Sequence, residues 1–503
     1  MVGSVTLALN VLITTTAARS LPPRDAPSAH NATSPASSTL VWSDCSAIYG
    51  AGFTCANYTV PTDWAVPNGD QIMIGMNRFQ SNTTGFAKKE SLYLNPGGPG
   101  GIATSDLTVA AASFSHEVTS KYDLIAVDPR GLGLSTPIQC DTDLWNERLS
   151  YFPKTEAEFD RMVQHNIALG KSCLELTGNL LFHVDTLSIA RDFEAVRIAN
   201  GDDKFNFVGF SYGSQIAYQY AQLFPGSFGK LVGDGITNHA ESETGSLVTG
   251  VQTYEDSFVR FATWAGTSNE SALFGQDVLS LWDQLLVKLT ETPLSVGSGP
   301  GHLDNITNEE FLFNFPEALI SKEAGTGPGW AAVSEALALA FAGNGSGLAS
   351  FAPAVVDGEI AANSGPFSYL AVGCLDWTYH STTLADILYK QKLMTTWAPH
   401  TQGATQNYGY QTQCIGWPAP VINPPEQIEL HTDIPILLVQ STHDPECSYT
   451  WAVELQAQLP SSVLLLREGD GHTSYLLGGE TAAAVNAYLI NGTLPAHNTV
   501  LQS

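Results

Sequence analysis

Five residues constrain this chain more than any others: Gly209-Phe210-Ser211-Tyr212-Gly213. Before them, Lys204 to Val208 (KFNFV) reads as a short buried strand. After them, Ser214 to Phe224 reads as a helix with Ile216, Tyr220, Leu223 and Phe224 on one face and Pro225 ending it. A serine between two glycines on a strand-to-helix turn stands at the tip of a tight elbow. Such a turn leaves no room for side chains two positions to either side. The pentapeptide arises easily by chance; its flanking strand and helix make Ser211 a candidate nucleophile.

The elbow sits in a repeating pattern. Apolar runs at Gln71–Met76, Ser91–Leu94, Tyr122–Val127, Phe205–Val208, Lys230–Val232, Ile434–Val439 and Val463–Leu466 read as strands. Helical patterns lie between several of them, including Asp185 to Ala199 with the stripe Leu187, Ala190, Phe193, Val196 and Ile198. Strands alternating with helices imply a mostly parallel sheet covered on both faces. The pattern lapses over residues 238–425, where helix-like segments (Val278 to Leu289, Trp330 to Phe341, Thr382 to Leu393) alternate with Gly/Ser-rich joints, and it resumes at Ile434. This predicts a large, mainly helical insertion between a first core part, 41–237, and a second, 426–503.

A serine nucleophile needs a base and an acid that orients it, and on an elbow of this kind they follow in the order Ser, acid, His. Asp444 lies in the loop after the Ile436–Val439 run, and His472 in the loop after Val463–Leu466. His443 precedes the acid, and Asp470 is too close to His472 in one loop, so neither fits the order. Asn95-Pro96-Gly97-Gly98-Pro99-Gly100-Gly101 follows a strand and lets backbone N–H groups point at developing negative charge. The N–H groups of Gly98 and Tyr212 form the expected oxyanion pair. Asp128-Pro129-Arg130-Gly131 is a further strand-to-turn signal, in which Arg130 reads as holding the turn.

Charge and cysteines narrow the setting. With 21 Lys+Arg against 49 Asp+Glu, the net charge of −28 argues against nucleic acid or an anionic membrane surface as partner. No stretch beyond the N-terminus approaches the ~20 apolar residues of a membrane span. Residues 1–18 read as a secretory signal, with the apolar run Val5 to Ile13, and 19–40 as a Pro/Ser/Ala-rich linker or short pro-segment. Acceptors for N-linked glycans occur at Asn31, Asn57, Asn82, Asn269, Asn305, Asn344 and Asn491. Seven cysteines suit an oxidising compartment. Seven cysteines allow many pairings; proximity along the chain favours Cys45–Cys55, Cys140–Cys173 and Cys374–Cys414, which leaves Cys447. No metal or organic cofactor is implied: there is no H-E-x-x-H, and the glycines lack a phosphate-binding spacing.

The ordered set NPGGPG, VDPRGLGLS, GFSYGS, LVGDGI, LLVQSTHDP and GDGHTS resembles the secreted tripeptidyl/prolyl aminopeptidase group of serine α/β-hydrolases, from about Trp42 to Gly478. The resemblance implies an α/β-hydrolase fold with a cap and a Ser211–Asp444–His472 triad. It also implies release of short N-terminal fragments from peptides. One departure stands out. The acid loop reads Asp444-Pro445-Glu446-Cys447-Ser448, where relatives tend to carry a Thr-Pro pair after the Asp-Pro.

An aminopeptidase must also hold a free α-ammonium group, best done by a carboxylate in a partly dehydrated pocket. Glu241, Glu243, Glu255 and Asp376 are the cap candidates, and Asp376, two residues from Cys374 in an apolar stretch, is preferred. Two other activities fit the same chain. One is an esterase or lactonase acting on small ester or amide metabolites; the other is a non-catalytic binding protein on a hydrolase fold.

Overall fold

Among the described residues, twelve strands form in chain order: β1 (Ser43–Asp44), β2 (Phe53–Pro61), β3 (Gln71–Phe79), β4 (Glu90–Asn95), β5 (Tyr122–Val127), β6 (Phe205–Phe210), β7 (Phe228–Asp234), β8 (Leu294–Ser295), β9 (Asn305–Ile306), β10 (Ile436–His443), β11 (Val463–Asp470) and β12 (Thr499–Gln502). The computed structural model describes residues 39–81, 89–324 and 327–502. Ten strands make one sheet in the order β1-β2-β3-β5-β4-β6-β7-β10-β11-β12. The first three pair antiparallel, β3 also pairs antiparallel with β5, and all pairings from β5 to β12 are parallel. β8 and β9 form a separate two-residue ribbon.

The sheet is covered on both faces, so its central strands are apolar on both sides. Along β11, Leu464 and Leu466 enter one core while Val463 and Leu465 enter the other. One core receives the helices Thr186–Ala199 and Tyr212–Leu223; the other receives Ala103–Ala110 and Gly479–Asn491. Each fully buried Leu, Val or Phe contributes roughly 1.5–3 kcal/mol over its exposed state. This is the architecture of an α/β-hydrolase.

Between β7 and β10 the chain is mainly helical. Its longer helices are Glu243–Thr267, Val278–Glu291, Gly329–Phe341, Ile360–Asp376 and Leu384–Trp397. They enclose an aromatic core of their own, with Phe258, Phe261, Trp282, Phe311, Phe315 and Trp330 packed ring against ring. Apart from the two-residue strands β8 and β9, the described residues of this segment form no strand, which is why the strand pattern lapses there.

Arg130 is wholly buried. Its guanidinium forms a two-pronged pair with Asp192, Nε–Oδ2 and Nη2–Oδ1 both 2.6 Å, and donates to the carbonyls of Thr62, His183 and Pro61. It therefore fastens the turn after β5 to the helix Thr186–Ala199. Disulfides join Cys45–Cys55, Cys140–Cys173 and Cys374–Cys414, and Cys447 is free and buried.

Among the glycan acceptors, Asn57, Asn269, Asn344 and Asn491 are exposed, whereas Asn305 is partly buried with its side-chain oxygen bonded to Arg148. Asn31 and Asn82, the signal segment 1–18 and most of the 19–40 segment lie outside the described residues. Among the described residues, no helix is long and apolar enough to cross a membrane.

Candidate active site

β6 runs to Phe210, and at Ser211 the chain turns with φ 56° and ψ −125°. A positive φ is rare for a side-chain-bearing residue and is held only where the surroundings enforce it. The two flanking glycines are obligatory. A Cβ on Gly209 would stand 2.1 Å from the Gly213 carbonyl oxygen, and one on Gly213 would stand 2.8 Å from that of Asn95. The Ser211 N–H donates to the Asp234 carbonyl at 2.8 Å, pinning the elbow to the end of β7. The Asp234 side chain serves the histidine loop, its Oδ2 accepting the N–H groups of Ser474 (2.9 Å) and Tyr475 (2.7 Å). Burial pushes this carboxyl up to about 6, against the pull of those two donors.

Parallel strands β10 and β11 end side by side, and their loops bring Asp444 to His472. The ring Nδ1 lies 2.8 Å from Oδ1 and 2.9 Å from Oδ2 of a carboxylate that is fully buried. Asp444 Oδ1 also accepts the N–H groups of Glu446 and Cys447, both at 2.8 Å. Burial alone would lower the basicity of His472. The Asp444 charge and hydrogen bond outweigh it, and with Glu446 and Glu317 they push the imidazole up to about 9. The His472 N–H donates to the Ile320 carbonyl at 2.8 Å, tying this loop to the helical segment above.

Ser211 Oγ has Cys447 Sγ as its partner at 4.0 Å. Among the described residues no hydrogen bond joins Ser211 Oγ to His472, so the serine–histidine link is open in the free protein. Such links often tighten only when substrate is bound. The other Asp and His of these loops are engaged elsewhere: His443 Nδ1 is 2.7 Å from Asp256, and Asp470 pairs with Arg260 and Lys322.

The glycine loop lies over the elbow. A Cβ on Gly97 would come within 2.7 Å of Ser211 Cβ and 3.0 Å of the Tyr212 nitrogen. The Gly97 N–H is taken by Asn95 Oδ1 at 3.0 Å. Among the described residues, no hydrogen bond takes the N–H of Gly98 or of Tyr212. Those two donors are the pair expected for an oxyanion.

A cavity of about 840 Å³ opens between this loop and the helical segment, lined by Gly100, Pro445, Glu446, Glu317, Tyr254 and Tyr369 among others. Ser211 and His472 are not part of its lining. Glu446 joins the two, since its side chain lines the cavity and its N–H binds Asp444. A second cavity, about 890 Å³, borders Asn95, Pro96 and Phe210 on another side and is walled by Arg467 and Asp470. Among the described residues, no three His, Cys, Asp or Glu side chains gather as a metal site requires.

Asp376 is a correction to the sequence expectation. It is wholly buried behind the elbow, where it accepts from Thr186 N (3.1 Å), Thr186 Oγ1, Gln215 Nε2 (3.1 Å) and Asn423 Nδ2 (3.1 Å), and it lines neither of the two cavities. Thr186 Oγ1 in turn meets the Tyr212 hydroxyl at 2.5 Å, so Asp376 supports the residue beside the nucleophile. The other cap candidates are also occupied: Glu241 by Trp451 and Thr249, Glu243 by Lys390 and His380, Glu255 by Thr401. The carboxylates sequence reasoning missed are Glu446 and Glu317. Glu446 falls at the departure already noted in the acid loop; nothing in sequence marks Glu317.

The fold together with the comparisons defines the class: the protein is a serine hydrolase of α/β-hydrolase architecture. Residues 399–501, which include Asp444 and His472, match the family described as TAP-like protein. Over most of its length the chain resembles tripeptidyl aminopeptidase from Streptomyces coelicolor, at 28% identity over 91% of this chain and 85% of that one. It is 27% identical to the serine protease Hip1 of Mycobacterium tuberculosis, over 88% of this chain and 86% of that one. A Mycobacterium tuberculosis protein named carboxylesterase B is 26% identical over 88% and 85%.

Proposed function

We propose that this protein is a secreted serine exopeptidase that cleaves peptides near a free N-terminus. Ser211 attacks the carbonyl carbon, His472 takes the hydroxyl proton and passes it to the leaving amine, and Asp444 holds the imidazole. The N–H groups of Gly98 and Tyr212 receive the charge on the tetrahedral oxygen. Water, activated by the same histidine, then releases the acyl fragment. The helical segment 238–425 acts as the cap over the cavity, and the three disulfides suit an extracellular setting.

The observation that carries the peptidase reading is a pair of carboxylates. On the cavity wall, Glu309 is bonded to Ser150 and Tyr151, and Glu310 to Thr307 and Arg148. Among the described residues Glu446 and Glu317 have no hydrogen-bond or ion-pair partner for their side chains. An unpaired carboxylate beside the reacting groups is what a substrate ammonium requires, and a neutral ester makes no use of it.

The test is kcat/KM for one peptide anilide in free and N-acetylated forms, each normalised to turnover of a phenyl ester. A charge-assisted contact of this kind predicts a preference of roughly 10–100-fold for the free amine. Equal values would move the assignment to an esterase, the activity named for one of the relatives.

A further inference from the structure

Both expected oxyanion donors are tied to one pair of helices from the 238–425 segment. Ile360–Asp376 and Gln406–Gln413 are joined by the Cys374–Cys414 disulfide and by the rings of Tyr369 and Tyr410, whose centroids are 5.2 Å apart. At its C-terminal end the first helix places Asp376 on Thr186, whose hydroxyl meets that of Tyr212 at 2.5 Å. Nearer its N-terminus the same helix meets the glycine loop. A Cβ on Gly365 would stand 3.0 Å from the Gly100 carbonyl oxygen, and Ser364 Oγ accepts the Gly133 N–H at 3.0 Å.

The second helix reaches the glycine loop through one side chain: Gln406 Nε2 donates to the Gly98 carbonyl at 3.0 Å. Gly98 has φ 107° and no side chain to anchor it, so its neighbours must hold it. The loop itself supplies one tie, from the Gly101 N–H to the Gly97 carbonyl at 3.1 Å. That carbonyl shares a peptide unit with the Gly98 N–H, whereas the Gly98 carbonyl belongs to the next unit. Gly98 Cα is therefore held on both sides, on one by its own loop and on the other by Gln406. Among the described residues, no other donor reaches the Gly98 carbonyl. Gln406 stands on a fixed base. It follows Thr405, which caps the helix by accepting the Tyr408 N–H, and Tyr408 is wholly buried and donates to the Tyr151 carbonyl at 2.8 Å.

We infer that Gln406 is a positioning residue for the oxyanion hole, holding the Gly98 N–H in place through the Gly98 carbonyl. The helical insertion then completes the catalytic centre as well as roofing it. The inference rests on the Ser211 mechanism and the Gly98–Tyr212 oxyanion pair proposed above, and it applies to ester and peptide substrates alike. An oxyanion donor acts by standing ready where charge develops, so freedom to drift is paid for in the transition state. The uncharged carbonyl of a bound substrate gains little from that donor, so the loss falls on kcat and spares KM. Gln406 also lines the cavity of about 840 Å³. A direct contact with substrate from there would instead raise KM, and simple space-filling would tolerate any side chain of equal length.

The experiment compares the full chain with Gln406→Met, which keeps the length and removes the donor, and Gln406→Glu, which sets a carboxylate against the Gly98 carbonyl. Each is assayed with phenyl acetate and with phenyl trifluoromethyl ketone, an inhibitor whose carbonyl carbon bonds to a serine oxygen and leaves a tetrahedral oxyanion. In both variants kcat is expected to fall roughly 10–100-fold, less than removal of a whole oxyanion donor costs, with KM within about twofold. The ketone should bind more weakly by a similar factor, and Gln406→Glu should be the worse of the two. Unchanged kcat in Gln406→Met overturns the inference. So does a rise in KM at constant kcat, and so does a loss of kcat with ketone affinity intact. Ser211→Ala separates the two levels. If it abolishes turnover and ketone binding while the Gln406 variants behave as the unmutated protein, only the role of Gln406 fails. If it retains turnover, the serine mechanism fails and the inference with it.

Discussion

The thiol of Cys447 faces the hydroxyl of Ser211 at 4.0 Å. It is the one cysteine outside the three disulfides, and it is 2% exposed. Burial, with Asp444 and Glu446 close by, holds it well above the usual thiol range, so it is a poor nucleophile in the folded chain. Ellman's reagent at pH 8 is expected to find no reactive thiol in the native protein, one per chain in guanidinium, and seven after reduction. Three thiols in guanidinium without reductant would contradict one of the disulfides.

Replacing Ser211 or His472 with alanine should lower kcat/KM by roughly four or more orders of magnitude, with little change in melting temperature. Asp444→Asn should be severely impaired too, because the amide favours the wrong imidazole tautomer. Asp470→Asn breaks only the pairs with Arg260 and Lys322 and should retain most activity. A reversed ranking of the two Asp→Asn variants would move the acid to position 470.

The elbow glycines separate folding from chemistry. Gly209→Ala places a methyl 2.1 Å from the Gly213 oxygen, inside the central sheet, and should prevent stable folding. Gly97→Ala presses on Phe210 O at 2.4 Å and on Ser211 Cβ at 2.7 Å, at the loop over the nucleophile. It should cost activity far more than stability, measured as kcat/KM against denaturation midpoint. An equal loss of both would refute that separation.

Asp376 predicts a pH-dependent stability. Burial first, and Asp185 second, push its carboxyl up to about 7, against the pull of Thr186 and Asn423. Between pH 4 and 7 the folded chain keeps this proton and the unfolded chain has lost it. The stabilising contribution is therefore complete below about pH 4 and disappears as pH rises through 7. In Asp376→Asn that titration is absent. The stability of the variant relative to the unmutated protein should rise by on the order of 4 kcal/mol from pH 4 to pH 7. Parallel curves for the two proteins across that range would show that Asp376 does not titrate there.

Much of this fold was legible because its signals are local. Tyr122–Val127 forms a strand over the span its apolar run indicates, and Ser211 lies where strand meets helix. Runs such as Lys230–Val232 were cut short because strands extend through residues with polar or absent side chains, here Phe228 to Asp234. β2 was not anticipated: its sequence FTCANYTVP buries Ala56, Tyr58 and Val60 on one face, but the intervening Asn57 and Thr59 dilute the apolar run. The helix Glu156–Thr177 was missed although Thr155 and Glu158 form its capping box, a signal that can be read in advance. Asp376 was misplaced for a different reason. Proximity to a disulfide and an apolar stretch establish burial, but only the three-dimensional neighbours Thr186, Gln215 and Asn423 decide whether a buried carboxylate faces a cavity or a closed network.

Asp234 has a mechanical consequence. With its carbonyl it holds Ser211, and with its carboxylate it holds the loop that follows His472, although these belong to strands on opposite sides of its own. A displacement that carries the end of β7 therefore carries nucleophile and base together. One residue thus ties the position of the nucleophile to that of the loop behind the base, through one side chain and one carbonyl.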